Sequence, residues 1–194
     1  MEEGIAVNLR LGITGKPRIG KSTIIKEVIR RLKAEGIAVG GMLTSDIHEG
    51  GRRAGFSIEN ISTGEKGILA HVHLHQSGPK VGKYTVNLTD LDAIGAHSIN
   101  NALTRSEPRI IIIDEIGPME LKSRRFIEAV EKAMNSDKQL IVSVHQRSAH
   151  ELVRHIKSTF EILEVVEENR DELATVIMDK RSRMHIKLDT SHQK

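Results

Sequence analysis

The chain has 194 residues, 38% of them hydrophobic and 28% charged, with a net charge of +3 and no cysteine. That length suits one well-packed domain and is too short for two ordinary domains with separate cores. No apolar run approaches the roughly 20 residues of a membrane helix, and the lack of cysteine excludes disulfides, thiolate metal sites and thiol catalysis. Three phenylalanines and one tyrosine are too few for the stacking platforms that hold single-stranded nucleic acid, so nucleic acid is not an expected partner. The segment MEEGIAVNL lacks a basic region followed by an apolar core, and a cytoplasmic location is expected.

The first predicted strand carries Val7, Leu9, Leu11 and Ile13 and runs into a glycine-rich loop. Ile24, Ile25, Val28, Ile29 and Leu32 then recur at helical spacing. After Gly36 a strand is expected at IAVGGMLTS, followed by a hairpin in EGGRRAGFSIENIS with its turn at Gly50 and Gly51. Thr63-Gly64-Glu65 marks another turn. Leu91, Ile94 and Leu103 predict a helix with Thr89 as its N-cap. The segment from about 45 to 100 is too long for a simple crossover and is expected to form a small antiparallel insertion or a lid.

RIIIID, Arg109 to Asp114, is a continuous apolar run and predicts a strand buried on both faces. Phe126, Ile127, Val130 and Met134 predict a helix, Leu140 to Val144 a strand, and Leu152, Val153 and Ile156 another helix. EILEVV is the last expected strand. Asn169 and Glu172 have the spacing of a capping box at the start of a final helix through Leu173, Val176 and Ile177. Strands alternating with helices predict an α/β fold with a parallel sheet covered on both faces. The single domain is expected to span 1–181, with 182–194 as a loose basic tail.

GKPRIGKS, Gly15 to Ser22, matches G-x-x-x-x-G-K-[ST] at every fixed position. Between a strand and a helix, such a loop turns its backbone N–H groups toward phosphate. Lys21 would reach the β and γ phosphates, Ser22 would ligate Mg²⁺ and Thr23 would meet the α-phosphate. Asp114, ending the isoleucine strand, stands where a second metal-ordering carboxylate is needed. Glu115 follows it and would orient and deprotonate water, which favours hydrolysis. Glu120 is a weaker candidate for the same site. Arg53, Arg18 and Arg170 are candidates for a cation that stabilises charge on the γ-phosphate, with Arg52 beside Arg53 on the hairpin. His71, His73 and His75 would share a face if HVHLH were a strand; a solvated face explains them without a metal. His145 is expected at a strand end facing the ligand crevice.

With GKPRIGKS, GGRRAGF, VGKY, DEIGPMEL and ENRD in this order, the sequence resembles the small P-loop nucleoside-triphosphatases described from thermophiles, whose animal relative is called cancer-related nucleoside-triphosphatase. That resemblance implies a three-layer P-loop sandwich with a mainly parallel sheet, RecA-like or related. It also implies Mg²⁺-dependent hydrolysis of ATP, GTP, CTP, UTP and TTP with little base preference, by a monomer or weak dimer. By position, the family's nucleotide site falls on Gly15, Lys16, Pro17, Arg18, Ile19, Gly20, Lys21 and Ser22. It continues on Ile110, Ile111, Ile112, Ile113, Asp114, Glu115, Ile116 and Gly117. The alternatives are a phosphotransferase, whose 45–100 insertion holds an acceptor, and a slow-hydrolysing nucleotide switch. Three positions depart from the family pattern: Arg18 stands where glycine is frequent, Pro118 where lysine is, and Ser45-Asp46 where an acidic pair is expected.

Overall fold

Leu11 and Ile13 are fully buried on β1 (Arg10–Gly15), which lies between two parallel neighbours, β8 (Gln139–Val144) and β9 (Glu161–Val165). The computed structural model describes residues 8–191. Parallel pairing continues through β7 (Ile110–Ile116) to β2 (Val39–Glu49). Beyond β2 the same sheet becomes antiparallel, through β3 (Arg52–Asn60), β4 (Lys66–His71), β6 (Tyr84–Val86) and β5 (Lys80–Val81). The order is β5-β6-β4-β3-β2-β7-β8-β1-β9, so the sheet is mixed rather than mainly parallel. The 45–100 segment supplies its antiparallel strands.

Helices pack on both faces because alternate side chains of a strand point to opposite sides. Ile110 and Ile112 of β7 join one core with Ile25 and Val28 of α1 (Lys21–Ala34) and Ile177 of α6 (Leu173–Ser191). Ile111 and Ile113 join the other, with Phe126 and Val130 of α4 (Arg124–Met134) and Val153 of α5 (Glu151–Thr159). Each such side chain withdrawn from water contributes about 1.5–3 kcal/mol. The isoleucine run is thus buried on both faces, as its composition predicts.

Three local expectations are corrected. The helix after β6 begins at α2 (Leu88–Asp90), where the Asn87 side chain, not Thr89, accepts the capping bond from the Asp90 N–H at 3.2 Å. It continues through a π-helical segment, Leu91–Ala96, into α3 (His97–Thr104). Asn169 makes no capping box; its Oδ1 accepts from the Val166 N–H at 3.0 Å, and residues 167–172 form turns before α6 opens. Of the expected loose tail, the backbone through Ser191 is helical and residues 192–194 lie outside the described ones. Arg181, Arg183 and Lys187 are good helix formers, so weak amphipathic periodicity did not prevent a helix. No helix among the described residues is long and apolar enough to cross a membrane.

Candidate active site

The carboxyl ends of β1, β7, β8 and β9 face one crevice, the usual ligand position of an open parallel sheet. Gly15 ends β1, and α1 starts six residues later at Lys21. Gly20 caps α1 with φ 112°, a left-handed backbone that glycine adopts without strain. The loop carries a second left-handed residue, Arg18, at φ 66°. Lys16, Pro17, Arg18 and Thr23 are exposed, while Ile19, Gly20, Lys21 and Ser22 are half-buried. Lys21 folds over the loop, its ammonium donating to the carbonyls of Gly15 at 3.3 Å and Lys16 at 3.4 Å. An incoming phosphate offers that ammonium a charged acceptor, which binds it more strongly than a carbonyl does.

Asp114 is fully buried at the end of β7. Its Oδ1 accepts from the Ser143 hydroxyl at 2.5 Å, and its Oδ2 has no hydrogen-bond partner among the described residues. Burial pushes its carboxyl above the usual range, with the Ser143 and Ser22 hydroxyls opposing that rise. Glu115, half-buried, is also raised by burial, and the Lys21 charge pulls it back. Glu120 is buried on the turn Glu120–Lys122 and accepts from the Gly117 N–H at 3.1 Å. Burial first, then the Glu115 charge, push it up to about 8. Three carboxyls therefore share one corner of the crevice with the Lys21 ammonium.

Ile110 to Ile113 were assigned to the nucleotide site by position, but they lie in the two cores and offer no side chain to a ligand. Ile116 is buried in the same way, and Asp114, Glu115 and Gly117 remain at the carboxyl end of β7. The departure at Ser45-Asp46 is accounted for locally: the Ser45 hydroxyl accepts from Lys26 at 2.8 Å, and Asp46 pairs with Arg53 at 3.4 Å. Pro118 is exposed.

Arg53 stands on β3 with its Nε donating to the Tyr84 hydroxyl at 3.3 Å and its guanidinium 4.9 Å from the Phe56 ring centre. It lines a cleft of about 670 Å³ with Arg18, Asp46, His48, Gly51, Arg52, Lys83 and Tyr84. Arg170 does not line that cleft; it is exposed in the turn after β9, 3.5 Å from Asp171. β4 ends at His71, so His73 falls in the following turn and His75 in the irregular chain beyond it, and the three do not share a strand face. His71 pairs with Glu49 at 3.3 Å, and no metal-binding group of three acidic or histidine side chains occurs among the described residues. His145 follows β8 as expected. Burial, then the Lys21 charge, lower its pKa, and its buried Nδ1 has no partner among the described residues.

Sequence reasoning passed over Ser143 and Lys83. Ser143 fixes Asp114 from a neighbouring strand, a relation no spacing reveals. Lys83 sits inside VGKY, where Gly82 at φ 58° marks the β5–β6 turn, and that turn was the available signal.

A glycine-rich loop between a parallel strand and a helix, faced by a buried aspartate on a second parallel strand, defines an α/β protein with its site at the sheet's carboxyl edge. The family described as NTPase matches residues 10–178, and the chain belongs to that family. It is 44% identical over 173 residues to the nucleoside-triphosphatase THEP1 of Methanosarcina acetivorans, covering 89% of this chain and 96% of that one. Identity to the THEP1 nucleoside-triphosphatase of Methanocaldococcus jannaschii is 40% over 172 residues, covering 89% and 96%. Among solved structures, THEP1 from Aquifex aeolicus superposes with a TM-score of 0.76 at 31% identity, covering 86% of this chain and 95% of that one. A human cancer-related nucleoside triphosphatase superposes at 0.74 with 29% identity, covering 88% and 96%.

Proposed function

We propose that this nucleoside-triphosphatase is Mg²⁺-dependent and of the P-loop, RecA-related kind, and that it cleaves nucleoside triphosphates to diphosphate and phosphate with little base preference. The observation that carries this reading is Asp114: a buried carboxylate with one oxygen lacking a partner, beside Ser22 and followed by Glu115. An orphaned buried oxygen is costly unless a ligand completes it. Ser22 and Asp114 would hold Mg²⁺, which when bound neutralises charge on the β and γ phosphate oxygens. The relatives' names as nucleoside-triphosphatases support the same reaction.

The loop N–H groups from Lys16 to Thr23, apart from Pro17 and from Ile19, which donates to the Lys16 carbonyl, would cradle the phosphates, and the Lys21 ammonium would leave the Gly15 and Lys16 carbonyls for the β and γ oxygens. Glu115 orients a water in line with the γ-phosphorus and accepts its proton as the new P–O bond forms. The bond to the bridging oxygen then breaks, and the electron pair leaves with the diphosphate. A carboxyl raised by burial is a better base near neutral pH than a solvated one, provided it is ionised, and the Lys21 charge favours that form. Arg53, released from Asp46, would supply positive charge to the γ oxygens.

Glu115→Gln tests the assignment. Nucleotide affinity should stay within a few-fold of wild type while phosphate release falls on the order of 10²-fold or more. Unchanged turnover would remove Glu115 from the mechanism. Flat rates across the five common triphosphates are expected in the same assay.

A further inference from the structure

The cleft between the phosphate loop and the β2–β3 hairpin is a different matter from the loop itself. Four basic side chains, Arg18, Arg52, Arg53 and Lys83, line the cleft with one carboxylate, Asp46, which Arg53 already engages. The walls are organised before any ligand arrives. Tyr84 stands edge-on to Phe56 at 5.1 Å between ring centres, its hydroxyl accepts from Arg53, and the Lys83 ammonium lies 5.3 Å from its ring centre while donating to the Arg53 carbonyl at 3.3 Å. Phe56 supports the Arg53 guanidinium from the other side. A surface arginine needs no such scaffold; an arginine built to receive a planar or tetrahedral anion does. The volume, about 670 Å³, is that of a small-molecule site and far exceeds a bare phosphate.

We propose that this cleft is a second ligand site, which takes the phosphate monoester of a small organic molecule: Arg52 and Lys83 hold the phosphate, Tyr84 packs on the organic part, and Arg18 and Arg53 stand at the border with the nucleotide phosphates. It is separate from the nucleotide phosphates held by the loop, and it can be occupied with a triphosphate in place. The proposal does not depend on hydrolysis by Glu115.

The test is calorimetric titration of glycerol 3-phosphate, and separately of inorganic phosphate, into protein saturated with Mg²⁺ and a β,γ-imido triphosphate. Both should bind at one site, the monoester about tenfold tighter. Arg52→Ala and Lys83→Ala should each weaken monoester binding tenfold or more and leave the affinity for the imido triphosphate within twofold. Displacement of the triphosphate by either probe, no binding of the monoester, or wild-type monoester affinity in both variants would overturn the proposal. Equal affinity for the two probes would overturn its organic part and assign the site to free phosphate. Failure of the triphosphate analogue to bind at all would count against the nucleotide reading instead, and the same titration into free protein would still read the cleft.

Discussion

Arg18 shows how much one side chain can hide. From the sequence it is a departure from a frequent glycine; in the structure it occupies φ 66°, the left-handed region. A residue with a Cβ there costs on the order of 1–2 kcal/mol, while a glycine would lose roughly 0.5–1 kcal/mol more backbone entropy on folding. These partly cancel for Arg18→Gly, which should equal wild type or gain up to about 1.5 kcal/mol. A β-branched side chain has no such compensation, so Arg18→Val should lose about 1 kcal/mol or more. Urea midpoints ordered Gly at or above Arg, and Arg above Val, are the expected result. Residue type at each loop position was legible because phosphate binding demands it. The sign of φ was not, since nothing in the letters around Arg18 forces it. Glu120 was legible only as a weaker candidate and Ser143 not at all: the first is defined by burial beside Glu115, the second by strand pairing.

At the level of elements, β2 joins the two halves of the sheet. Val39 to Met42 pair with β7 in parallel, and Met42 to Glu49 pair with β3 in antiparallel. Gly41 lies in the parallel stretch at φ 99°, and a Cβ there would come within 2.0 Å of the Ile112 carbonyl oxygen. Backbone atoms of a central strand cannot step aside. Gly41→Ala should therefore cost about 3 kcal/mol or more, combining backbone strain with overpacking, read as a large drop in the urea midpoint. Strand and helix positions were legible from apolar runs and their period, and Gly50-Gly51 announced the β2–β3 turn. Cap residues were less so. Thr89 and Asn169 each have the right chemistry, but the chain turns into helix two residues earlier in one case and later in the other, where Asn87 and the 167–172 turns decide. Which parallel strand lies beside which was not legible, because that pairing depends on contacts far apart in the chain.

For the molecule as a whole, the buried carboxyls set how stability follows pH. Glu120 has an ordinary value of 4.5 and is pushed up to about 8 in the fold. Between those values the folded protein keeps a proton that the unfolded chain has lost, so stability falls as pH rises. This contribution is complete below about pH 4.5 and gone above about pH 8. Asp114 and Glu115 are raised as well and act in the same direction. In metal-free buffer the thermal midpoint should therefore drop from pH 6 to 8.5, each group adding at most about 1.4 kcal/mol per pH unit. Glu120→Gln keeps the acceptor for the Gly117 N–H and should flatten that drop; an unchanged slope would show that Glu120 does not titrate in this range. The order of strands has another effect, on biosynthesis. β1 comes first among the strands of the described residues, yet both its neighbours come from the last third of the chain: the Thr14 hydroxyl donates to the Val144 carbonyl, 130 residues further on. The antiparallel strands find partners within successive hairpins and close early, whereas contacts so distant in sequence form slowly. A nascent chain arrested before Gln139 already contains every letter of GKPRIGKS, but it has no sheet to aim them.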